Sequence, residues 1–191
     1  MPTRVLVLAF ALIGTVNMAS PQAPPAAPTI NLLARTYRLG SFNQKNQATW
    51  EFIAGGEKID EWSTLVTLID RPDAHTREEL DRLSEGIVST YKSHGGQILS
   101  AKTMSGDSGG VFNYMVAAFE EPGKHRLELN FVKMALGPKN AYILIYGVRV
   151  SDPADYRGKS KLFLDQQSGP IGRALDNAVL PEIGTLPRKE F

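Results

Sequence analysis

The chain contains no cysteine. That removes disulfides, cysteine–zinc sites, thiol nucleophiles and the cysteine-borne lipid anchor of bacterial lipoproteins. Histidine is nearly as scarce. His75, His94 and His125 are the three, none with a second histidine or a carboxylate at the helical or strand spacing that metal binding requires. Neither sign of charge dominates, with 21 lysines and arginines against 20 aspartates and glutamates, and no basic block stands anywhere. Nucleic acid and anionic membrane surfaces are therefore poor partners. A phosphate-binding glycine loop is also missing: Gly55-Gly56-Glu57-Lys58 lacks both the spacing and the following Ser or Thr.

What is present begins with one apolar run, Val5–Val16, preceded by Arg4 and followed by small residues such as Ala19, Ser20 and Ala23. It falls short of the roughly 20 apolar residues a bilayer span needs and has the layout of a secretory signal peptide. Residues 1–20 are expected to be that leader, and residues 21–29 a Pro/Ala-rich extended spacer. Residues 30–191 are long enough for one domain with a sizeable core. The expected location is the periplasm or the outside of a bacterial cell, with no stable membrane insertion once the leader is gone. Its removal takes Arg4 and no acid, leaving 20 charges of each sign.

Period-two patterning dominates the mature chain. Leu32–Gly40, Gln47–Ala54 and Trp62–Ile69 read as strands, the first two joined by Ser41–Asn46. Thr76-Arg77-Glu78-Glu79 is a capping box, and Leu80, Leu83, Ile87 and Tyr91 follow as one apolar stripe up to Gly95-Gly96. Four further strands are expected at Gln97–Met104, Val111–Glu120, His125–Leu136 and Ala141–Ser151, the last three joined by short turns that force antiparallel pairing. If Gly137 faces Asn140, then Glu128 opposes Arg149, while Leu127, Leu129 and Phe131 share a face with Tyr146, Val148 and Val150. Val132, Met134, Ile143 and Ile145 on the other face need a cover. The C-terminal segment Gly158–Leu180 is the expected one, broken at Gly169-Pro170 with Ser168 as a fresh N-cap. The fold class is α+β: a largely antiparallel sheet with a central helix and a C-terminal helix packed on it.

The chemistry offered by the residues is thin. Gly106-Asp107-Ser108-Gly109-Gly110 has the letters found around a chymotrypsin-like nucleophile, but the chain is too short for two β-barrels, and its histidines lie at helix ends and a turn. A loop between strands contains the same residue types. Glu78-Glu79 is accounted for by the helix cap and Glu120-Glu121 by a turn. The connection Gly55–Glu61, which delivers Trp62 towards a strand, has no such simple explanation. Trp62, Glu57, Glu61 and Trp50 are therefore the candidate partner-binding residues, the two tryptophans being either core neighbours or the wall of a groove.

Three functions follow from this inventory. The first is an exported binding or accessory domain for an envelope protein or small ligand, with no catalytic set and no cofactor. The second is a small serine hydrolase using Ser108 with His94 or His125. The third is a small-molecule carrier with a pocket between sheet and helix.

The segment Trp50-Glu51-Phe52-Ile53-Ala54-Gly55-Gly56-Glu57, followed by Trp62 and Thr67, carries a resemblance. Together with the order of elements over residues 30–180, it resembles the PsbP-like fold. That fold is shared by an extrinsic photosystem II subunit, a Ran-binding import factor and many bacterial exported proteins, and the last group looks most similar. None of the photosystem subunit's binding residues maps onto this chain. The resemblance implies a small binding or accessory domain without a cofactor.

Overall fold

The computed structural model describes residues 27–44, 47–107 and 109–188, with the side chain of Pro122 left aside. The expected leader, most of the expected spacer and Ser108 lie outside the described residues. Among the described residues eight strands form one antiparallel sheet: β1 Thr29–Leu32, β2 Arg35–Asn43, β3 Thr49–Ala54, β4 Thr64–Arg71, β5 Gln97–Ser105, β6 Val111–Glu121, β7 Arg126–Leu136 and β8 Ala141–Ser151. Two helices accompany them, α1 Arg77–Ser93 and α2 Tyr156–Asp176. The order across the sheet is β1-β2-β3-β4-β8-β7-β6-β5. The chain thus lays down four strands, crosses by α1 to the far edge, and returns strand by strand until β8 pairs with β4. The α+β class stands.

Most elements form where the patterning places them. Thr76 Oγ1 accepts from the Glu79 amide at 3.3 Å, and the Glu79 carboxylate accepts from the amides of Thr76 at 3.0 Å and His75 at 2.7 Å. The Gly137 amide donates to the Asn140 carbonyl at 2.8 Å, and Glu128 opposes Arg149, Leu129 opposes Val148 and Phe131 opposes Tyr146. The register follows because it matches Leu129 and Phe131 with apolar partners on one face and Glu128 with an opposite charge on the other, and a one-residue slip would lose both.

Three expectations need correction. The run Leu32–Gly40 is not one strand. The chain reverses at Leu33-Ala34, both with positive φ (52° and 59°), so that β1 and β2 form a hairpin. Turns of this kind usually carry Asn or Gly, and neither stands here. Helix α2 does not break at Gly169-Pro170. It runs unbroken from Tyr156, and Ser168 caps nothing: its hydroxyl donates to the Leu164 carbonyl at 2.6 Å. Ile171 and Leu175, buried just beyond Pro170, hold the helix to the sheet across the proline.

The third correction concerns the covers. Val132, Met134 and Ile143 lie under α1, packed with Leu80 and Leu83. Helix α2 covers the opposite, aromatic face, with Ile171 and Leu175 among Leu129, Phe131 and Tyr146 and with Phe163 packed against them. The crossover helix reaches the sheet between β4 and β5, so it takes the smaller aliphatic face. The aromatic face falls to α2 and to the segment after it, where Trp50 Nε1 donates to the Pro187 carbonyl at 2.7 Å.

Helix α2 is fastened at its C-terminus by a residue whose role the patterning did not reveal. Lys133 is buried on β7, and its Nζ donates to the carbonyls of Leu175 (3.3 Å) and Asp176 (3.0 Å) and to Asp176 Oδ1 (3.3 Å). It also lies 4.7 Å from the Phe112 ring centroid. A buried ammonium is tolerable because it meets the negative end of the helix dipole and two carbonyls that have no intrahelical donor.

Candidate functional site

Gly106–Gly110 turns the chain from β5 into β6. The Gly106 amide donates to the Gly110 carbonyl at 2.7 Å and the Gly109 amide to the Gly106 carbonyl at 2.9 Å, with Gly109 at φ +80°. The turn is docked on the end of α2: the Asp107 amide donates to Asp176 Oδ2 at 2.9 Å, and Asn177 Nδ2 to Asp107 Oδ2 at 3.2 Å. A Cβ on Gly106 would stand 2.5 Å from Asp176 Oδ1, so glycine is required for this approach. The glycines of the protease-like string are thus accounted for by a turn that clasps a helix.

The imidazoles lie elsewhere. His94 ends α1, its ring nitrogen against the Thr90 carbonyl, and His125 turns the chain from β6 into β7. Both stand at the opposite end of β5 and β6 from the Gly106–Gly110 turn, about 30 Å away for a nine-residue strand. His75 has Nδ1 against the Lys139 carbonyl at 3.1 Å. No arrangement of a nucleophile, a base and an orienting acid is assembled among the described residues.

A different constellation is assembled on the α1 side of the sheet. A helix about 10 Å wide spans only two or three strands spaced about 4.8 Å apart. Helix α1 packs over β5, β6 and β7 and reaches Ile69 and Ile143 at one end of β4 and β8, which leaves the same face open around Thr67 and Ile145 and over β3. The result is a trough of about 380 Å³. Its floor carries Thr67, Ile145, Asn130 and Glu51, Trp62 stands at one side, and the rings of Tyr91 and Phe119, tilted against each other with centroids 5.2 Å apart, stand at the other. Burial, then the nearby Glu128 carboxylate, push the Tyr91 hydroxyl up to about 12, so it stays a proton donor at any physiological pH.

Trp62 is set by three contacts. The Arg149 guanidinium stacks 3.7 Å from its ring centroid, and Arg149 NH1 donates to the Trp62 carbonyl at 3.5 Å. Beneath it Gly147 leaves the room, since a Cβ there would come within 3.2 Å of the indole. Arg149 Nε in turn donates to Glu128 Oε2 at 3.4 Å. Upstream, Glu57 accepts from the Ser63 amide at 3.2 Å and from the Ser63 hydroxyl, pinning the Gly55–Glu61 loop to the start of β4. Because Trp62 precedes β4 rather than lying in it, this latch fixes where the indole goes.

The structure therefore brings Trp62 and Glu57 into one assembly. It leaves Glu61 exposed on the loop beside Lys58, at 4.0 Å. Trp50 is fully buried in the aromatic core on the other face of the sheet, so the two tryptophans are not neighbours. Arg149, Glu128 and the Tyr91–Phe119 pair were not among the candidate residues. The signals that could have found them are Gly147 inside a strand, which marks a close approach, and the opposed Glu128–Arg149 pair.

No family model matches this chain, and no curated protein does. Among the described residues no helix is long and apolar enough to cross a membrane.

Proposed function

We propose that this protein is an exported bacterial binding domain, periplasmic or secreted, which receives a segment of an envelope protein in the trough beside Trp62. The observation that carries the reading is the half-open sheet face. It presents an ordered polar floor, with Glu128 paired to Arg149 and Glu51 held by the Ser41 hydroxyl at 2.5 Å, between aromatic walls that offer contact area at low entropic cost. Such a floor can accept backbone and side-chain hydrogen bonds from an extended peptide without first breaking an ion-pair network. The N-terminal layout supports export, and the resemblance to PsbP-like proteins supports an accessory role without a cofactor.

Arg149→Glu tests it. This substitution places two carboxylates together and unstacks Trp62, so a trough partner isolated from the native envelope should bind the variant at least tenfold more weakly. The variant's circular-dichroism spectrum must remain that of the wild type. Undiminished binding of that partner by a folded Arg149→Glu protein would remove the trough from the account.

A further inference from the structure

On the other face, α2 packs over β7 and β8 and reaches β6 only through buried side chains such as Tyr114, which leaves the β5 edge of the sheet uncovered beside it. This opening is a separate groove of about 420 Å³. Lys102 and Met104 of β5 and Tyr114 and Val116 of β6 make its floor. Leu164, Gly169, Gly172 and Arg173 of α2 make the wall. The two glycines recess that wall, and Leu99, 46% exposed, leaves an apolar rim.

Two features of the groove are unsatisfied. Tyr114 is 5% exposed, and its buried hydroxyl has no hydrogen-bond partner. It ends against α2, 3.6 Å from where a Cβ on Gly172 would stand. A buried hydroxyl left without a partner costs about 1–3 kcal/mol, so native folds seldom keep one without a use. The second feature is charge. Among the described residues neither Lys102 nor Arg173 has an ion-pair partner. Both line an otherwise largely apolar groove whose one carboxylate, Asp165, is engaged by Lys161 at 4.0 Å.

We propose that this groove binds a small amphipathic carboxylate, a straight-chain fatty acid of about ten carbons being of the right size for such a volume. The alkyl chain lies along Met104, Val116, Leu164 and Leu99. The carboxylate is held between Lys102 and Arg173, and a small outward shift of α2 at Gly172 opens the Tyr114 hydroxyl, closed off from the groove in this structure, to donate to it. Burial pushes that phenol up to about 12, which keeps it a donor. This site lies on the opposite face from the trough and does not rest on the trough's function.

Decanoate, titrated calorimetrically into the purified protein below its micelle concentration, tests the proposal. Saturable binding at one site is expected, with decanol binding at least tenfold more weakly because it lacks the charge. The double variant Lys102→Ala/Arg173→Ala, with both positions exposed on the surface, should fold normally and lose at least tenfold in affinity. Tyr114→Phe should weaken binding severalfold while raising the melting temperature of the free protein, since it removes an unsatisfied hydroxyl. Absence of saturable binding, equal affinity for decanol, or unchanged affinity in either variant would overturn the assignment.

Discussion

Lys133 carries more of this fold than its single charge suggests. It replaces the missing hydrogen-bond donors at the end of α2, pairs with Asp176 and stacks on Phe112. Asp176 then holds the Gly106–Gly110 turn through the Asp107 amide. Lys133→Met keeps the volume but leaves the half-buried Asp176 with the Asp107 amide alone and two helix-end carbonyls unpaired, and should cost about 3 kcal/mol, read as a shift of the denaturant midpoint. A loss below about 1 kcal/mol would mean that water replaces the ammonium.

Acid sensitivity also belongs to individual residues. Arg126, then Lys124, hold the Glu121 carboxyl down to about 2. Lys159, then the amides of Asp155 and Ala154, do the same for Asp152. Both groups bind protons more tightly in the unfolded chain. Their contribution is therefore complete above the ordinary carboxylate range near pH 4 and is lost as pH falls towards about 2. Urea midpoints should be flat above pH 5 and drop below pH 4. For Glu121→Gln the drop should be smaller, and an unchanged profile in that variant would exclude the pair as a source.

At the scale of elements, the difference between legible and hidden features has physical causes. The capping box of α1 could be read because the cap and its stripe are local, each residue contacting others three or four positions away. The hairpin at Leu33-Ala34 could not, because its turn has residues that disfavour positive φ and are held there by the strands on either side. Ala34→Gly relieves that strain and should raise stability by about 1 kcal/mol, measured by thermal or urea unfolding; a decrease would show that Ala34 is not strained. Helix α2 misled for the opposite reason. Proline and glycine read as a break, yet burial of Ile171 and Leu175 outweighs the lost backbone bond. Which helix covers which face was equally out of reach, since both faces of β7 and β8 are apolar and only the path of the chain decides between them.

At the scale of the molecule, two helices lie on opposite sides of eight strands and are displaced from each other across the sheet. Helix α1 covers β5–β7 on one face, and α2 covers β7 and β8 on the other. Helix width makes full cover impossible, so each face keeps an opening: the trough over β3, β4 and β8, and the groove beside β5 and β6. The candidate site was half legible for the same reason. Trp62 and Glu57 lie on a conspicuous loop, whereas Arg149 and Glu128 join them only once β4 has paired with β8, a contact between distant parts of the chain.

A photo-crosslinking residue at Thr67, on the trough floor, examines the binding account most directly when the protein is expressed in its native envelope. The account predicts one discrete adduct with an envelope protein, lost when Arg149→Glu is added and not formed by the same crosslinker at Glu182 on the far side. Equal adducts from both positions, or none from Thr67 in a properly folded protein, would contradict it.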